Sequence, residues 1–237
     1  MKLVLDGIRK SFGDKEVLKG CTHTFEQGRI YGLLGRNGAG KTSLFNCLSG
    51  EAGIDGGSFY LVDGETRREL RQEDIGYVYS LPILPEFLTG YEFVKFFIEI
   101  NGEGQRRLDG RSIDDYFDIV KIEPEDRHRL IKGYSHGMKN KVQMLCFFIT
   151  RPPVILLDEP LTSFDVVVAL EIKKLLREMK QDHILIFSTH ILQLAADLCD
   201  DLVLLNNGRL EEVPPGTREE KEFEERIIAL LKDESHA

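Results

Sequence analysis

"GRNGAGKT", Gly35 to Thr42, is the stretch that decides how the rest of the chain is read. It matches G-x-x-x-x-G-K-[ST] without a gap. Glycines at those places let successive backbone N–H groups curl around a phosphate, Lys41 adds positive charge, and the Thr42 hydroxyl is a ligand for Mg2+. About one random chain in a hundred of this length would carry such a match from average residue frequencies, so the flanks must decide. Ile30 to Leu34 is nearly all apolar and reads as a strand buried on both faces. Thr42 to Leu48 reads as a helix with Leu44, Phe45 and Leu48 on one side, its positive end toward the loop. Strand before and helix after make this a nucleotide-binding loop.

A second element lies far downstream. "VILLDE" sets Asp158 and Glu159 at the exit of an apolar strand, where P-loop enzymes keep a Mg2+-organising acid. Asp158 would hold the metal shell, and Glu159 would polarise an attacking water. Two acids capping a strand at the surface are the plain alternative, and the loop at Gly35–Thr42 argues against it.

Strand patterns fill the first segment: "KLVLDGIRK", "TFEQGRIYGLLG" and "GSFYLVDGE". After Tyr79 the pattern turns helical in "YEFVKFFIEI", "SIDDYFDIVKI" and "SHGMKNKVQMLCFFIT", the last stopped by Pro152-Pro153. Strands return in "VILLDEP", "HILIFSTH" and "DLVLLNNGRLEEV", whose Asn207-Gly208 suits a hairpin turn. "ALEIKKLLREMK" lies between them as an amphipathic helix. The expected division is an α/β core from 1–79 and 152–213, a helical insertion at 80–151 and a C-terminal helical extension at 214–237. A Thr217/Glu220 capping box opens that extension, and Phe223, Ile227, Leu230 and Leu231 share one of its faces.

Composition excludes several classes. The 237 residues hold 31 Lys and Arg against 40 Asp and Glu, a net charge of −9, so nucleic acid is not an expected partner. Four scattered cysteines with no CxxC pair argue against a disulfide framework or zinc site and favour a reducing cytoplasm. "MKLVLDGIRK" meets Asp6 too early for a signal peptide, and no stretch approaches the ~20 apolar residues of a membrane span.

Taken in order, "KSFGDKEVLKG", "GRNGAGKTSL", "YSHGM", "VILLDEPLTSFD" and "FSTH" make the chain resemble the ATP-binding subunit of an ABC transporter, bacterial type, over Leu3 to Val213. The resemblance implies an α/β P-loop ATPase core with a parallel sheet, an antiparallel β subdomain and an inserted helical subdomain. It implies ATP and Mg2+ as cofactors, MgATP hydrolysis coupled to transport, and a place on the cytoplasmic face of a membrane beside separate transmembrane permease subunits. Phe12 matches the aromatic that stacks on adenine, though a core aromatic at a sheet edge fits as well. Val17 and the loop Gly35, Arg36, Asn37, Gly38, Ala39, Gly40, Lys41, Thr42 and Ser43 match the nucleotide-binding positions. Glu159 matches the general base, and His190 the switch histidine that reads the γ-phosphate. Thr42 and Asp158 match the Mg2+ ligands. Within Leu161–Asp165, Asp165 matches a contact to a second subunit.

Tyr134–Met138 match the signature, usually Leu-Ser-Gly-Gly-Gln, with Ser135, His136 and Gly137 facing the nucleotide of the opposite subunit in a head-to-tail dimer. A helix N-terminus suits that task, and a homodimer and a heterodimer both fit.

Two positions depart from the pattern. His136 replaces a glycine and takes room beside the triphosphate, which implies a mild loss of ATP-driven closure. Ser80 replaces a glutamine that reaches Mg2+; the shorter serine spans to the metal only through a water, which implies slow or unusually coupled turnover. "LPILPEFLTGYEF" is either a packed hinge or part of a groove for a short helix of the membrane subunit. It looks most like bacterial export-type systems. A nearly inactive, partner-regulated switch and a non-transport cassette are the competing functions.

Overall fold

The computed structural model describes residues 1–101, 111–160 and 166–213. Its centre is a six-stranded sheet in the order β10-β9-β3-β8-β7-β6. The strands are β3 (Ile30–Leu34), β6 (Ile75–Val78), β7 (Val154–Asp158), β8 (Ile184–Thr189), β9 (Asp201–Asn206) and β10 (Arg209–Val213). All neighbours run parallel except β9 and β10, joined as a hairpin. Asn207 and Gly208 both take positive φ there, as a two-residue turn of matching twist requires.

Every residue of β3, β7 and β8 is buried, because helices or a second sheet cover both faces. Alternation sorts the side chains. Ile30, Leu34, Ile155, Leu157, Leu185 and Phe187 join one core, while Tyr31, Leu33, Val154, Leu156, Ile184 and Ile186 join the other. The first core holds the helices α2 (Gly90–Asn101), α3 (Ile113–Ile119), α5 (His136–Thr150), α6 (Val166–Met179) and α7 (Leu192–Leu198). The second holds α1 (Lys41–Leu48) and an antiparallel sheet in the order β2-β1-β4-β5, made from β1 (Lys2–Phe12), β2 (Lys15–Glu26), β4 (Gly56–Asp63) and β5 (Thr66–Glu69).

A short helix α4 (Pro124–Arg127) lies ahead of α5. Helices α2 to α5 fall between β6 and β7 in chain order. The loop ahead of α2 exposes Leu81, Ile83 and Phe87. The Thr217/Glu220 box, the apolar face from Phe223 to Leu231, and Leu161–Asp165 lie outside the described residues. No helix of the described residues is long and apolar enough to cross a membrane, and the four cysteines are free thiols.

Two histidines are buried in this scaffold. His183 sits before β8 with Nδ1 2.7 Å from the Pro152 carbonyl, and His23 packs edge-on against Phe25 and Tyr31. Burial holds both below the ordinary histidine value, against an opposing bond to Pro152 in one case and the charge of Glu212 in the other. The folded state therefore binds fewer protons than the unfolded state once pH drops below about 6.5. Stability should fall as pH is lowered from 7 to 5.5. His183→Asn, which keeps a donor for Pro152 but does not titrate, should flatten that fall in urea denaturation.

Candidate functional site

The loop after β3 closes on its own lysine. Lys41 is buried, and its Nζ donates to the carbonyls of Gly35 at 2.7 Å and Arg36 at 3.2 Å. Burial pushes its pKa down, while the carboxylates of Glu159 and Asp158 push it back up. Gly38 and Gly40 carry the loop through φ of 84° and 106°. At Gly40 a side chain is excluded twice: by that φ, and because a Cβ would lie 2.8 Å from Val17 Cγ1. Helix α1 therefore begins without a side-chain cap and with no acid in its first turn. Its N-terminal amides keep their bonding capacity, the condition for anion binding.

Opposite the loop, β7 ends in Asp158. Thr42 Oγ1 donates to Asp158 Oδ2 at 2.8 Å, and Ser188 Oγ donates to Asp158 Oδ1. The next residue, Glu159, has φ of 49°, a left-handed turn uncommon for a residue with a side chain. Its N–H is held by the Ser188 carbonyl at 3.2 Å and Ser188 Oγ at 3.1 Å. That turn carries Glu159 Oε1 to 4.0 Å from Lys41 Nζ and 2.9 Å from His190 Nδ1. Charge, hydroxyl and two carboxylates thus meet at one pocket of about 350 Å3.

The pocket wall takes Arg36, Asn37, Gly38 and Gly40 to Ser43 from the loop, Val17 from β2, and Ser80, Asp158 and Glu159 from the far side. Gly35 is buried and contributes its carbonyl to Lys41; Ala39 N donates to the Arg36 carbonyl. His190 is exposed and meets the site through Glu159. Phe12 stands apart from the wall, half exposed at the end of β1 with Lys10 Nζ 5.3 Å from its ring centroid, and it is not a core aromatic.

Ser135, His136 and Gly137 are not brought to this pocket. Ser135 caps α5, its Oγ accepting from Met138 N at 3.2 Å, so its own hydroxyl proton is left to donate elsewhere. His136 is exposed, with Nε2 3.4 Å from Nδ2 of the buried Asn140 one turn on.

The sequence profile of the ABC transporter family matches residues 18–162. The chain belongs to the ABC transporter family. Among its relatives, the uncharacterized ABC transporter ATP-binding protein YxlF of Bacillus subtilis is 30% identical over 208 residues, 88% of this chain and 69% of the relative. The sulfate/thiosulfate import ATP-binding protein CysA of Methylococcus capsulatus is 30% identical over 221 residues, 90% of this chain and 63% of the relative. The chain thus spans about two thirds of the length of these ABC relatives. Solved structures share the fold. An ATP-binding subunit of an ABC transporter superposes with TM-score 0.83 at 24% identity, covering 98% of this chain and all of the other. The ATP-binding cassette MJ0796, a dimer bound to ADP and Pi in a post-hydrolysis state, gives 0.75 at 19%, covering 90% and 99%.

In this ABC chain the family pattern marks only the histidine of "FSTH". Ser188 is the functional residue this pattern hides, and paired hydroxyls, Ser188 and Thr189, closing a buried strand that is apolar up to Phe187 are the visible signal. Removing it in Ser188→Ala takes one donor from a buried carboxylate and one acceptor from Glu159 N. Urea denaturation should show a loss of about 1–3 kcal/mol.

Proposed function

We propose that this chain binds MgATP at the Lys41 pocket, pairs with a second cassette across that nucleotide, and hydrolyses it to power transport through separate membrane subunits. The observation that carries the reading is the convergence of buried Lys41, Thr42, Asp158 and Glu159 at the uncapped start of α1. Phosphate fits this cradle: its donors are amides of a helix N-terminus and an ammonium already gathered behind glycines. Mg2+ fits it too. Thr42 donates its proton to Asp158 and so keeps its oxygen lone pairs for a cation, and both are the hard oxygen ligands Mg2+ takes beside nucleotide phosphates.

In this proposal Thr42 and Asp158, with Ser80 through water, hold Mg2+, which when bound neutralises charge on the β- and γ-phosphate oxygens. Arg36 to Ser43 wrap the phosphates, Val17 and Phe12 meet the base and sugar end, and Lys41 balances the charge that grows in transfer. Glu159 accepts a proton from the attacking water while His190 fixes its carboxylate. ATP and water give ADP and phosphate.

Ser135, His136 and Gly137, remote from their own pocket, would complete the opposite subunit's site. His136 would crowd that site mildly, and Ser80, too short to span to the metal, would slow turnover. The core at 1–79 and 152–213 would carry the nucleotide, and the helices of 80–151 the signature. The exposed Leu81, Ile83 and Phe87 support docking of a short permease helix, which would place the chain on the cytoplasmic membrane face. The character of that loop favours export. The relative CysA is named for import, so kinship supports ATP-driven transport without favouring that direction.

Glu159→Gln should keep MgATP affinity within about threefold and lower hydrolysis by 10^2-fold or more, read by phosphate release from the assembled complex. Equal release from Glu159→Gln and wild type, above the no-enzyme background, would refute the assignment of the base. Release at that background from both proteins, even with the membrane partner, would instead favour a regulatory switch over a motor.

A further inference from the structure

Strand β6 pairs with β7 rung by rung from Ile75↔Val154 to Val78↔Leu157. The next rung would set Tyr79 beside Asp158, but β6 ends at Val78. From here the chain must deliver Ser80 to the pocket wall without the ladder. Side chains supply the restraint instead. The Tyr79 ring lies on Tyr77 at 4.1 Å between centroids, and its hydroxyl donates to Glu51 Oε1 at 2.8 Å. Burial and that bond push the Tyr79 phenol up to about 12, so it remains a donor at neutral pH. Tyr77 in turn bonds Asn46 of α1 at 3.1 Å.

The backbone of Tyr79 is held from the other side. Gln143 is a polar residue buried on α5, and its Nε2 donates to the Tyr79 carbonyl at 2.9 Å. One turn on, Phe147 packs where β6 carries a glycine: a Cβ on Gly76 would lie 3.3 Å from Phe147 Cβ and 2.7 Å from Pro152 Cγ. The two residues share a helix face, so α5 lies directly on β6 and Gln143 reaches the first carbonyl beyond the strand. A buried amide is kept only where it is bonded, and this one is spent on the residue before Ser80. The same helix carries Ser135 as its cap.

We infer that Gln143 is a positioning residue: its bond to the Tyr79 carbonyl holds Ser80 against the pocket and ties the helix that begins at Ser135 to the state of that pocket. This rests on the reading that the pocket binds MgATP. A chain of contacts then joins the phosphate-loop helix to α5: a hydrogen bond from Tyr77 to Asn46, the Tyr77–Tyr79 ring contact, and the hydrogen bond from Gln143 to the Tyr79 carbonyl.

The test uses the full chain with ATP as probe. Amide exchange is followed over residues 79–84, and ATP affinity is measured in EDTA and in Mg2+. Gln143→Met keeps length without the donor, and Gln143→Leu removes the donor in a shorter apolar side chain, so the second serves if the first does not fold. Loss of one ordinary hydrogen bond should speed exchange over residues 79–84 about tenfold. Affinity in EDTA should stay within about twofold, because Lys41 and its loop are untouched, while the gain on adding Mg2+ should shrink. Wild-type exchange over residues 79–84 in a folded variant would overturn the inference. So would equal loss of affinity with and without Mg2+, the mark of a general fold defect. A wild-type chain that binds no ATP would instead overturn the functional reading, and exchange over residues 79–84 would still decide on Gln143.

Discussion

One carboxylate organises the centre of this protein. Asp158 leaves the buried end of β7 and takes a hydroxyl on each oxygen, from Thr42 of α1 and from Ser188 of β8. Neither hydroxyl could be reached if the sheet order or the strand register changed by a residue. Parallel pairing of β3 with β8 and of β8 with β7 is therefore what turns three separated sequence segments into one site. The buried cation Lys41 stands behind this carboxylate, and Glu159 follows it through a left-handed turn. A scaffold buried on both faces keeps these groups fixed, and the chemistry is left to the loops at its edge.

Much of this was legible in the residues. Ile30–Leu34, Val154–Asp158 and Ile184–Thr189 are short, mainly apolar runs that read as strands covered on both faces, and every residue of them is buried. The glycines between Gly35 and Gly40 announced a backbone that no other residue follows, and Gly40 shows why. Asn207-Gly208 named its own turn. What stayed hidden had no periodicity to show. Strands β5 and β6 are four residues each, too short for an alternation to stand out. The bonds of Gln143, Tyr79 and Ser188 join residues 28 to 64 positions apart, and no local pattern marks them.

Two features of the site point beyond a single chain. Ser135 caps α5 with its oxygen yet holds its proton free, and it stands away from the pocket formed by its own loop. The pocket itself sets Lys41 and the Thr42–Asp158 pair on one side, and among the described residues no second helix N-terminus lines it. In the proposed mechanism a second cassette supplies that helix, so ATP both joins the halves and is consumed between them. His136 then tunes the closeness of the approach, while Gln143 keeps α5 informed of the pocket it leans on.

Everything in this account begins with a triphosphate held at Lys41. Isothermal titration of the purified chain with MgATP, beside Lys41→Ala, measures that step alone. The account predicts one ATP per chain for wild type, with a Kd between about 1 μM and 1 mM, and no heat of binding for Lys41→Ala. Equal binding by the two proteins, or none by wild type, would contradict it.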